Sequence, residues 1–308
     1  MKYLVTGGAG FIGTNLVKRL LADGHEVVVL DNYAGGKKDD RILKGAEYID
    51  GDIRNENDLE KACAGVDGIF HMAALPRVTF SVENPELTHD VNVNGTLKVL
   101  LVAKKYGVKR VVFSSSSSVY GNQEIMPLVE TMTPDPISPY ALHKMIGERY
   151  CRLFSELYGL ETVCPRYVNV YGPYFDPDGP YALVVGKFIK QVKNGEPMTV
   201  CGDGEYQRDF VHVSDVASAN ILAMTEVKVG KGEIINISSN KPYSVNQVRK
   251  MIGDNFVFVP ERPGDVLRTA EDNAVAKELL GWEPKIKLED GIAELKREWG
   301  IKNSLCVN

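Results

Sequence analysis

Few residues of this chain are suited to binding metals or forming disulfide bonds. Among 308 residues there are five cysteines and five histidines, and both types are scattered without the close spacing of a metal site. The sequence therefore predicts no metal centre. We expect the cysteines to be reduced thiols, mostly buried, as is usual in the cytoplasm, with Cys306 the one that is exposed.

Long basic tracts and long apolar runs are also missing. The net charge is −5, so nucleic acid is not an expected partner. No apolar run approaches the length that spans a membrane, and Met1 leads directly into a strand-like segment without room for a signal peptide. We expect a cytoplasmic protein that does not bind membranes.

Regularly spaced glycines follow the first apolar run. Tyr3–Val5 is followed by Gly7, Gly10 and Gly13, and the segment Phe11–Ala22 then has apolar residues at helical spacing. Strand, tight turn and helix in this order are typical of a dinucleotide site. Two glycines let the pyrophosphate approach closely, and the third packs the helix against the strand.

A second strand-like segment ends in an acid. Glu26–Leu30 is apolar after its first residue and is followed by Asp31, about 20 residues past the glycines, where a ribose hydroxyl pair would bind. Because Asp31 would repel a 2′-phosphate, the sequence favours NAD over NADP. An ordinary loop acid is the alternative reading.

Strand-like and helix-like segments alternate along the chain, which predicts an α/β fold with a Rossmann-like, doubly wound parallel sheet and a smaller α/β C-terminal substrate lobe. We expect the NAD-binding domain to span 1–166, with a returning segment at about 209–237, and the substrate lobe mainly 167–308. The predicted strands are Tyr3–Val5, Val27–Leu30, Gly68–His71, Arg110–Ser114, Thr162–Arg166 and Asp209–Val213. The predicted helices are Phe11–Ala22, Glu56–Ala64, Pro85–Tyr106, Tyr140–Tyr158, one near Leu183–Val192, Val216–Met224 and two short C-terminal helices.

One predicted helix carries a tyrosine and a lysine on the same face. Tyr140 and Lys144 are four residues apart, directly after Ser138-Pro139. An ammonium beside a phenol is expected to lower the pKa of the phenol and make it a usable general base. A serine run, Ser114–Ser118, ends the preceding strand, at the sheet edge where ligands bind, and can offer a hydroxyl to the reacting oxygen.

Together these motifs resemble the extended short-chain dehydrogenase/reductase family, and within it the nucleotide-sugar 4-epimerases of the UDP-galactose 4-epimerase type. The resemblance runs from residue 1 to about residue 285. Its motifs are T-G-G-A-G-F-I-G, Gly51-Asp52-Ile53, His71-Met72-Ala73-Ala74, Val93-Asn94-Gly95-Thr96, the serine run with Val119-Tyr120-Gly121, Tyr140-x-x-x-Lys144, Pro165–Pro173, Gly202–Glu205, Arg208–Val213 and Arg262–Val266.

The resemblance implies roles for individual residues. The catalytic set would be Ser116, Tyr140 and Lys144. The NAD-binding set would be Gly7, Gly10, Phe11, Ile12, Gly13, Asp31, Asn32, Lys37, Asp52, Ile53, Ala73, Ala74, Asn94, Ser114, Tyr140 and Lys144. Asp52 and Ile53 would hold the adenine, and Asn94 would lie near the phosphates. The substrate-binding set would be Arg77, Ser116, Tyr140, Asn169, Val184, Arg208, Arg262, Asp265 and Thr269.

Three positions depart from the family pattern. The loop Asn32–Lys37 lacks the small polar side chains often found around the adenine ribose, so that backbone N–H groups or Lys37 must serve. Cys201 stands where an aromatic residue often packs on the base. Leu75-Pro76-Arg77 lacks a lysine common in the galactose enzymes, and Arg77 is a candidate substitute.

The subclass depends on acids near the catalytic hydroxyl. The resemblance implies that 4,6-dehydratases carry an acidic pair just after that hydroxyl and that decarboxylases carry a Glu before Val-Tyr, whereas here Ser117 and Ser118 stand there. With no acid at these positions, the sequence favours 4-epimerisation of a UDP-sugar. Thr269 stands where a bulky residue would exclude an N-acetyl group, which favours UDP-GlcNAc and UDP-GalNAc, with UDP-Glc and UDP-Gal also accepted.

Other functions stay open at this point. A UDP-glucuronate 4-epimerase is one alternative, and an NAD-dependent nucleotide-sugar reductase or dehydrogenase with net redox turnover is another. A nucleotide-sensing protein without activity is a third, which the intact Ser116, Tyr140 and Lys144 argue against. The family resemblance also implies a homodimer through two long helices, with apolar stripes that include Val91, Val99, Leu100 and Val102 and then Met145, Leu153 and Leu157. Both stripes could instead face the sheet.

Overall fold

The computed structural model describes residues 1–35, 39–76, 78–175, 184–261 and 269–301. The strands are β1 (Lys2–Thr6), β2 (Glu26–Asp31), β3 (Glu47–Asp50), β4 (Gly68–His71), β5 (Arg110–Phe113), β6 (Ser115–Ser116), β7 (Glu161–Tyr167), β8 (Asn169–Tyr171), β9 (Met198–Cys201), β10 (Gln207–His212), β11 (Lys231–Ile237), β12 (Pro242–Ser244) and β13 (Phe256–Val259). The helices are α1 (Phe11–Ala22), α2 (Glu56–Cys63), α3 (Val78–Glu83), α4 (Pro85–His89), α5 (Thr96–Lys105), α6 (Pro139–Tyr158), α7 (Val184–Lys193), α8 (Val213–Thr225), α9 (Val245–Ile252) and α10 (Leu288–Glu298).

A parallel sheet with helices on both faces forms the centre of the protein. Its strand order is β11-β7-β5-β4-β1-β2-β3, with the short β6 also paired to β7. The direction of the strand order reverses between β1 and β4, which places the expected ligand crevice at the carboxyl ends of these two strands. The predicted fold class is confirmed.

Two apolar layers cover the two faces of the central sheet. One layer contains Val5, Val29 and Phe70 of the sheet together with Leu16 of α1 and Val216 of α8. The other layer contains residues of α2, α5 and α6 on the opposite face. Because both faces are buried, the central strands are continuous apolar runs rather than alternating ones. This burial fixes the positions of the loops at the carboxyl edge.

A smaller lobe holds the remaining strands. β10 pairs in parallel with β8 and antiparallel with β12, and β13 pairs in parallel with β9. Its own apolar core contains Phe188, Ile189, Val248 and Leu295. The division of domains at residue 166 stays a prediction.

Most predicted segments agree with the structure, but one predicted helix differs in a way that matters for the site, and two strands of the central sheet were missed. The single helix predicted at Pro85–Tyr106 is α4 and α5 joined by a π-helical turn, Asp90–Gly95. The strands β3 and β11 were not predicted individually. β11 contains glycine and charged residues at its start, which hide the apolar run that follows.

The predicted apolar stripe on α5 is wrong for three of its residues. Val99, Leu100 and Val102 are at most 2% exposed because they pack against the sheet. On α6, by contrast, Leu153 and Leu157 are 45% and 66% exposed, and Met145 is partly buried. Within the described ranges, no helix has the length and apolarity needed to cross a membrane.

Candidate active site

The glycine turn lies at the carboxyl end of β1, against the end of β4. Gly7 has a φ of +70°, and a β-carbon there would lie 2.7 Å from the Ala73 nitrogen. A β-carbon on Gly13 would lie 2.2 Å from the Gly7 carbonyl oxygen, so the close packing predicted for Gly13 is confirmed. The turn therefore leaves open a backbone-lined cradle of the kind that fits a dinucleotide pyrophosphate. Phe11 and Ile12 begin α1, and Ala74 follows Ala73 in the adjoining loop.

Asp31 ends β2 beside this cradle. Its Oδ2 accepts a hydrogen bond from the Ala9 nitrogen at 3.0 Å, and its Oδ1 accepts one from the Tyr33 nitrogen at 2.8 Å. Burial raises the pKa of Asp31, and these two backbone bonds oppose the shift. Each oxygen keeps a second lone pair, so the carboxylate is able to accept the two hydroxyls of a ribose. Lys37 lies outside the described residues.

Asp52 takes part in an ion pair at the outer edge of the sheet. Its carboxylate accepts from the Arg54 side chain at 2.8 and 3.0 Å and from Asn32 Nδ2 at 2.8 Å. The bond from the Arg54 side chain is the largest cause that lowers the pKa of Asp52, to about 2. Ile53 is buried, and its side chain fills the space where a β-carbon of Gly95 would stand. The adenine contacts of Asp52 and Ile53 stay a prediction.

A chain of buried hydrogen bonds joins the ends of β1 and β4 to the π-helical turn. Thr6 Oγ1 lies 2.8 Å from His71 Nδ1, His71 Nε2 lies 2.9 Å from Thr96 Oγ1, and Thr96 Oγ1 donates to the Asn92 carbonyl. Because the Thr96 proton is used on Asn92, His71 donates from Nε2 and Thr6 donates to Nδ1. The His71 ring is therefore neutral.

The place of Asn94 near the phosphates stays a prediction. Asn94 is exposed and donates to Asp90, within a surface cluster that also holds Arg54. Asn92 is the buried asparagine, and it exchanges two hydrogen bonds with the backbone of Leu75, in the loop that follows Ala74. Successive helical residues point in different directions, and sequence similarity alone did not resolve which asparagine faces the loop.

The structure brings Ser116, Tyr140 and Lys144 together at the carboxyl edge of the sheet. α6 begins with Ser138 as its N-cap, which accepts from the Ala141 nitrogen, and Pro139 as its first residue. The Ser116 side chain acts on the Tyr140 phenol and opposes the rise in its pKa. The Lys144 ammonium donates to the Ser114 carbonyl at 2.7 Å and lies 5.8 Å from the centre of the Tyr140 ring.

The expected lowering of the Tyr140 pKa is wrong for the unliganded protein. Burial raises the pKa of Tyr140 to about 12, and Ser116 opposes this only in part. Burial also lowers the pKa of Lys144 to about 8, with Glu148 acting against it. Desolvation is the largest cause of both shifts, and the ammonium is directed to the Ser114 carbonyl.

Sequence reasoning missed Glu148, one helical turn beyond Lys144 on the same face. Its carboxylate accepts from Arg166 Nε and Nη2 at 2.7 Å each and from Ser115 Oγ at 2.5 Å. The side chains of Arg166 and Glu148 are 0% and 2% exposed. The spacing of Tyr140, Lys144 and Glu148 was a usable signal, since residues i, i+4 and i+8 share one face.

Four predicted substrate-binding residues lie in the described part of the smaller lobe. Asn169, on β8, donates to the Asp209 carbonyl at 2.7 Å, and Thr269 donates its backbone N–H to the Gln207 carbonyl at 3.1 Å. Arg208, on β10 beside them, donates to the Gln207 carbonyl. Val184 is the first residue of α7. Arg77, Arg262 and Asp265 lie outside the described residues.

Sequence reasoning also missed an acid beside the serine run. The Ser117 side chain acts on the carboxyl group of Glu271 and opposes the rise in its pKa. The residue is only 1% exposed. The reading that no acid is available next to the catalytic hydroxyl is therefore incomplete, because a distant part of the chain supplies one. No local pattern around Glu271 indicates this interaction.

The chain is similar throughout to proteins of one family. Residues 3–238 match the sequence profile of the NAD dependent epimerase/dehydratase family. A putative UDP-glucose 4-epimerase of Methanocaldococcus jannaschii is 42% identical over 298 residues, covering 94% of this chain and 95% of the relative.

Two solved structures extend the similarity to the whole fold. The UDP-glucose 4-epimerase of Thermotoga maritima, with UDP-glucose, has a TM-score of 0.91 at 40% identity and covers 97% of this chain and 98% of its own. The UDP-N-acetylglucosamine 4-epimerase of Methanobrevibacter ruminantium M1, in complex with UDP-N-acetylmuramic acid, has a TM-score of 0.91 at 36% identity, with coverage of 97% and 98%.

Proposed function

The chain belongs to the NAD-dependent epimerase/dehydratase family, and from this premise we propose that it is a UDP-sugar 4-epimerase. Its cofactor is NAD, as for the family, and the glycine cradle with Asp31 fits that group. The proposal rests above all on one observation, the position of the Lys144 ammonium, which the Ser114 carbonyl fixes at 2.7 Å and which lies 5.8 Å from the centre of the Tyr140 ring.

Each residue of this cluster has a defined task in the proposed reaction. NAD supplies the acceptor and donor of the hydride at C4 of the sugar. Tyr140 removes the proton from the 4-hydroxyl and returns it, and Ser116 holds the same oxygen by a hydrogen bond. Lys144 supplies the positive charge that favours the tyrosinate. Rotation of the 4-keto sugar between the two hydride transfers inverts C4.

The sugar is proposed from a single side chain and from two relatives. Thr269 is small, and its backbone N–H is fixed by the Gln207 carbonyl on β10. At the position beside C2 of the sugar that the family resemblance implies, such a side chain would leave room for an N-acetyl group. We therefore propose interconversion of UDP-GlcNAc and UDP-GalNAc, of UDP-Glc and UDP-Gal, or of both pairs. The two similar structures are named for UDP-glucose and UDP-N-acetylglucosamine epimerases, which is consistent with either. UDP-glucuronate stays the alternative substrate.

We propose a homodimer on the basis of an exposed apolar helix face. Leu142, Leu153 and Leu157 of α6 are 41%, 45% and 66% exposed, and Leu101 of the neighbouring α5 is 48% exposed. Burying such a face against its two-fold copy forms a four-helix contact. Light scattering of the purified protein tests this, with Leu153→Glu and Leu157→Glu expected to give monomers. A cytoplasmic location stays a prediction.

Proton NMR of the purified enzyme with UDP-GlcNAc, without added NAD, tests the activity. We expect the anomeric signal of UDP-GalNAc to appear, because a recycled cofactor undergoes no net redox change. Turnover of UDP-Glc or UDP-GlcA alone would keep the epimerase and overturn the argument from Thr269. No product from any of the three sugars, even with NAD added, would contradict the proposal.

A matched pair of variants links the activity to the site. Tyr140→Phe removes the phenolic oxygen, and we expect kcat to fall by a factor of about 100 to 10,000. Tyr150→Phe removes a phenolic oxygen from the same helix, ten residues further on and outside the catalytic cluster, and should leave kcat unchanged. Unchanged activity of Tyr140→Phe would contradict the role of Tyr140 as the general base.

A further inference from the structure

The backbone N–H groups in the first turn of α6 have partners from inside and outside the helix. A helix begins with N–H groups that have no acceptor within the helix. Pro139, the first residue, carries no N–H group. Ser138 accepts from the Ala141 nitrogen through its side chain at 3.2 Å and from the Leu142 nitrogen through its carbonyl at 3.0 Å. The N–H group of Tyr140, the proposed general base, therefore needs an acceptor from another part of the chain.

Ser81, on the short helix α3, supplies that acceptor. Its Oγ accepts from the Tyr140 nitrogen at 3.0 Å, although the two residues are 59 positions apart. The same hydroxyl donates its only proton to the Val78 carbonyl at 2.7 Å, so that its lone pairs are left for Tyr140. Ser81 is 0% exposed. Water therefore cannot replace this acceptor unless the packing around it changes.

Helix α3 is fixed at both ends. Before it, the backbone of Leu75 exchanges two hydrogen bonds with the side chain of Asn92, at 2.8 and 3.1 Å. After it, the buried Thr88 of α4 donates through Oγ1 to the Asn84 carbonyl at 2.9 Å. The Ser81 hydroxyl is thus held on a rigid piece of backbone.

We propose that Ser81 is a positioning residue that fixes Tyr140 on α6, and that α3 thereby couples the cofactor loop to the general base. The loop that carries Ala73 and Ala74, both in the expected NAD-binding set, is followed along the chain by α3. Ser81 contacts neither the sugar nor the cofactor in the proposed reaction, because it acts through the backbone of Tyr140. The catalytic meaning of this inference rests on the proposed function, whereas the hydrogen bond does not.

The first turn of α6 matters because the other groups of the catalytic cluster are fixed on the central sheet. Ser116 belongs to β6, and the Lys144 ammonium is held by the Ser114 carbonyl at 2.7 Å. The position of the Tyr140 phenol relative to these groups depends on the backbone from which it starts, and small displacements of a reacting group are costly in rate. Loss of the Ser81 bond should slow the chemical step more than it weakens binding of the nucleotide, whose expected contacts lie in the smaller lobe.

Steady-state kinetics test this role, with UDP-glucose, UDP-N-acetylglucosamine or UDP-glucuronate as substrate, whichever the wild type converts. Rates are expressed per mole of bound NAD. We expect Ser81→Ala to lower kcat by about 10- to 100-fold and to change KM by less than about twofold. Ser81→Thr keeps the hydroxyl and should retain most of kcat. If Ser81→Ala does not fold, Ser81→Cys carries the same expectation, because its sulfur is only a weak acceptor.

Ser138→Ala is the matched variant. It removes another side-chain cap from the same turn but leaves the Tyr140 N–H group bonded to Ser81. We expect it to lower kcat by less than about threefold, because the position of Tyr140 is retained. The comparison separates the fixing of Tyr140 from the general stability of the helix.

Hydrogen exchange of single backbone amides, followed by NMR of isotope-labelled protein, is a second readout that needs no substrate. We expect the Tyr140 amide to exchange at least about tenfold faster in Ser81→Ala while the Ala141 amide is unchanged, and the reverse in Ser138→Ala. General destabilisation would speed both amides together. If the wild type lacks epimerase activity but the amides show this pattern, the proposed function fails and the link between α3 and α6 stands.

The positioning role has clear contrary outcomes. It is overturned if the wild type is active and Ser81→Ala keeps kcat within about twofold. A Tyr140 amide that stays protected in Ser81→Ala would also overturn it. So would a loss of kcat in Ser138→Ala or Ser81→Thr as large as that in Ser81→Ala.

Discussion

Lys144 donates a hydrogen bond from its ammonium group to the carbonyl oxygen of Ser114, 2.7 Å away, so that the lysine of the catalytic helix is anchored on the serine run. The hydroxyl of the same serine is hydrogen-bonded to the Tyr167 hydroxyl at 3.1 Å, and Tyr167 in turn donates to Asn220 Oδ1. The ammonium position is therefore set by the end of the central sheet and by α8 behind it. Helix α6 alone does not determine it.

The pH dependence of activity should report the charge on Lys144. Burial lowers its pKa to about 8, so the positive charge that favours the tyrosinate is lost as the pH rises through this value. We expect kcat to fall on the alkaline side from near pH 8. Lys144→Arg, which stays charged, should lack that fall even if its kcat is lower. An identical alkaline fall in the arginine variant would contradict the assignment.

The buried pair of Glu148 and Arg166 should be critical for stability. Glu148→Ala leaves the Arg166 guanidinium buried without its carboxylate, and we expect a loss of about 3–5 kcal/mol in the free energy of unfolding. Urea denaturation measures this. Glu156→Ala breaks an exposed pair with Arg152 on the same helix and should have no resolvable effect. Equal effects of the two variants would contradict the importance of burial.

Gly13 should not tolerate a side chain. A β-carbon there would lie 2.2 Å from the Gly7 carbonyl oxygen and 2.7 Å from the Gly8 α-carbon, so that Gly13→Ala must displace α1 or the turn. We expect a loss of about 1–3 kcal/mol and weaker retention of NAD during purification. Gly253→Ala is the control, because its nearest atoms would be 3.6 Å away. Normal NAD content in Gly13→Ala would argue against the cradle.

His71 should make the protein sensitive to acid. Burial, followed by the charge of Lys144, lowers its pKa from 6.5 to about 3. Below about pH 6.5 the unfolded chain therefore binds a proton at His71, whereas the folded protein does not bind it until the pH approaches 3. This stabilising contribution is fully present above pH 6.5 and is lost as the pH falls toward 3. Thermal unfolding between pH 7 and 4 should show a flatter pH slope in His71→Gln than in wild type.

The sequence predicted the parallel sheet and the catalytic pair because both depend on local patterns. Apolar runs between glycines and helical segments define β1, α1 and β4, and the spacing of four residues defines the face of Tyr140 and Lys144. The relationship to the epimerase/dehydratase family is confirmed. The site residues themselves stay predictions.

What the sequence could not predict depends on contacts between distant segments. The backbone of Glu271, for example, is held by the loop at Leu128 and by Ser238 after the end of β11, both distant from it in sequence. The opposing effects on Tyr140 and Lys144 depend on burial, which no spacing rule measures. Asn92 and Asn94 are both compatible with the motif, and only the rotation of the π-helical turn decides between them.

The serine run has a consequence for how this protein can change. Five identical residues stand in a row, yet their surroundings differ. The Ser114 hydroxyl is hydrogen-bonded to Tyr167, Ser115 donates to Glu148, and Ser116 accepts from the Ser118 nitrogen. Ser116 also acts on the pKa of Tyr140, and Ser117 acts on the pKa of Glu271. Each position of this repetitive stretch therefore has its own structural role. Inserting or deleting a single serine would leave its composition almost unaltered while shifting every assignment by one place.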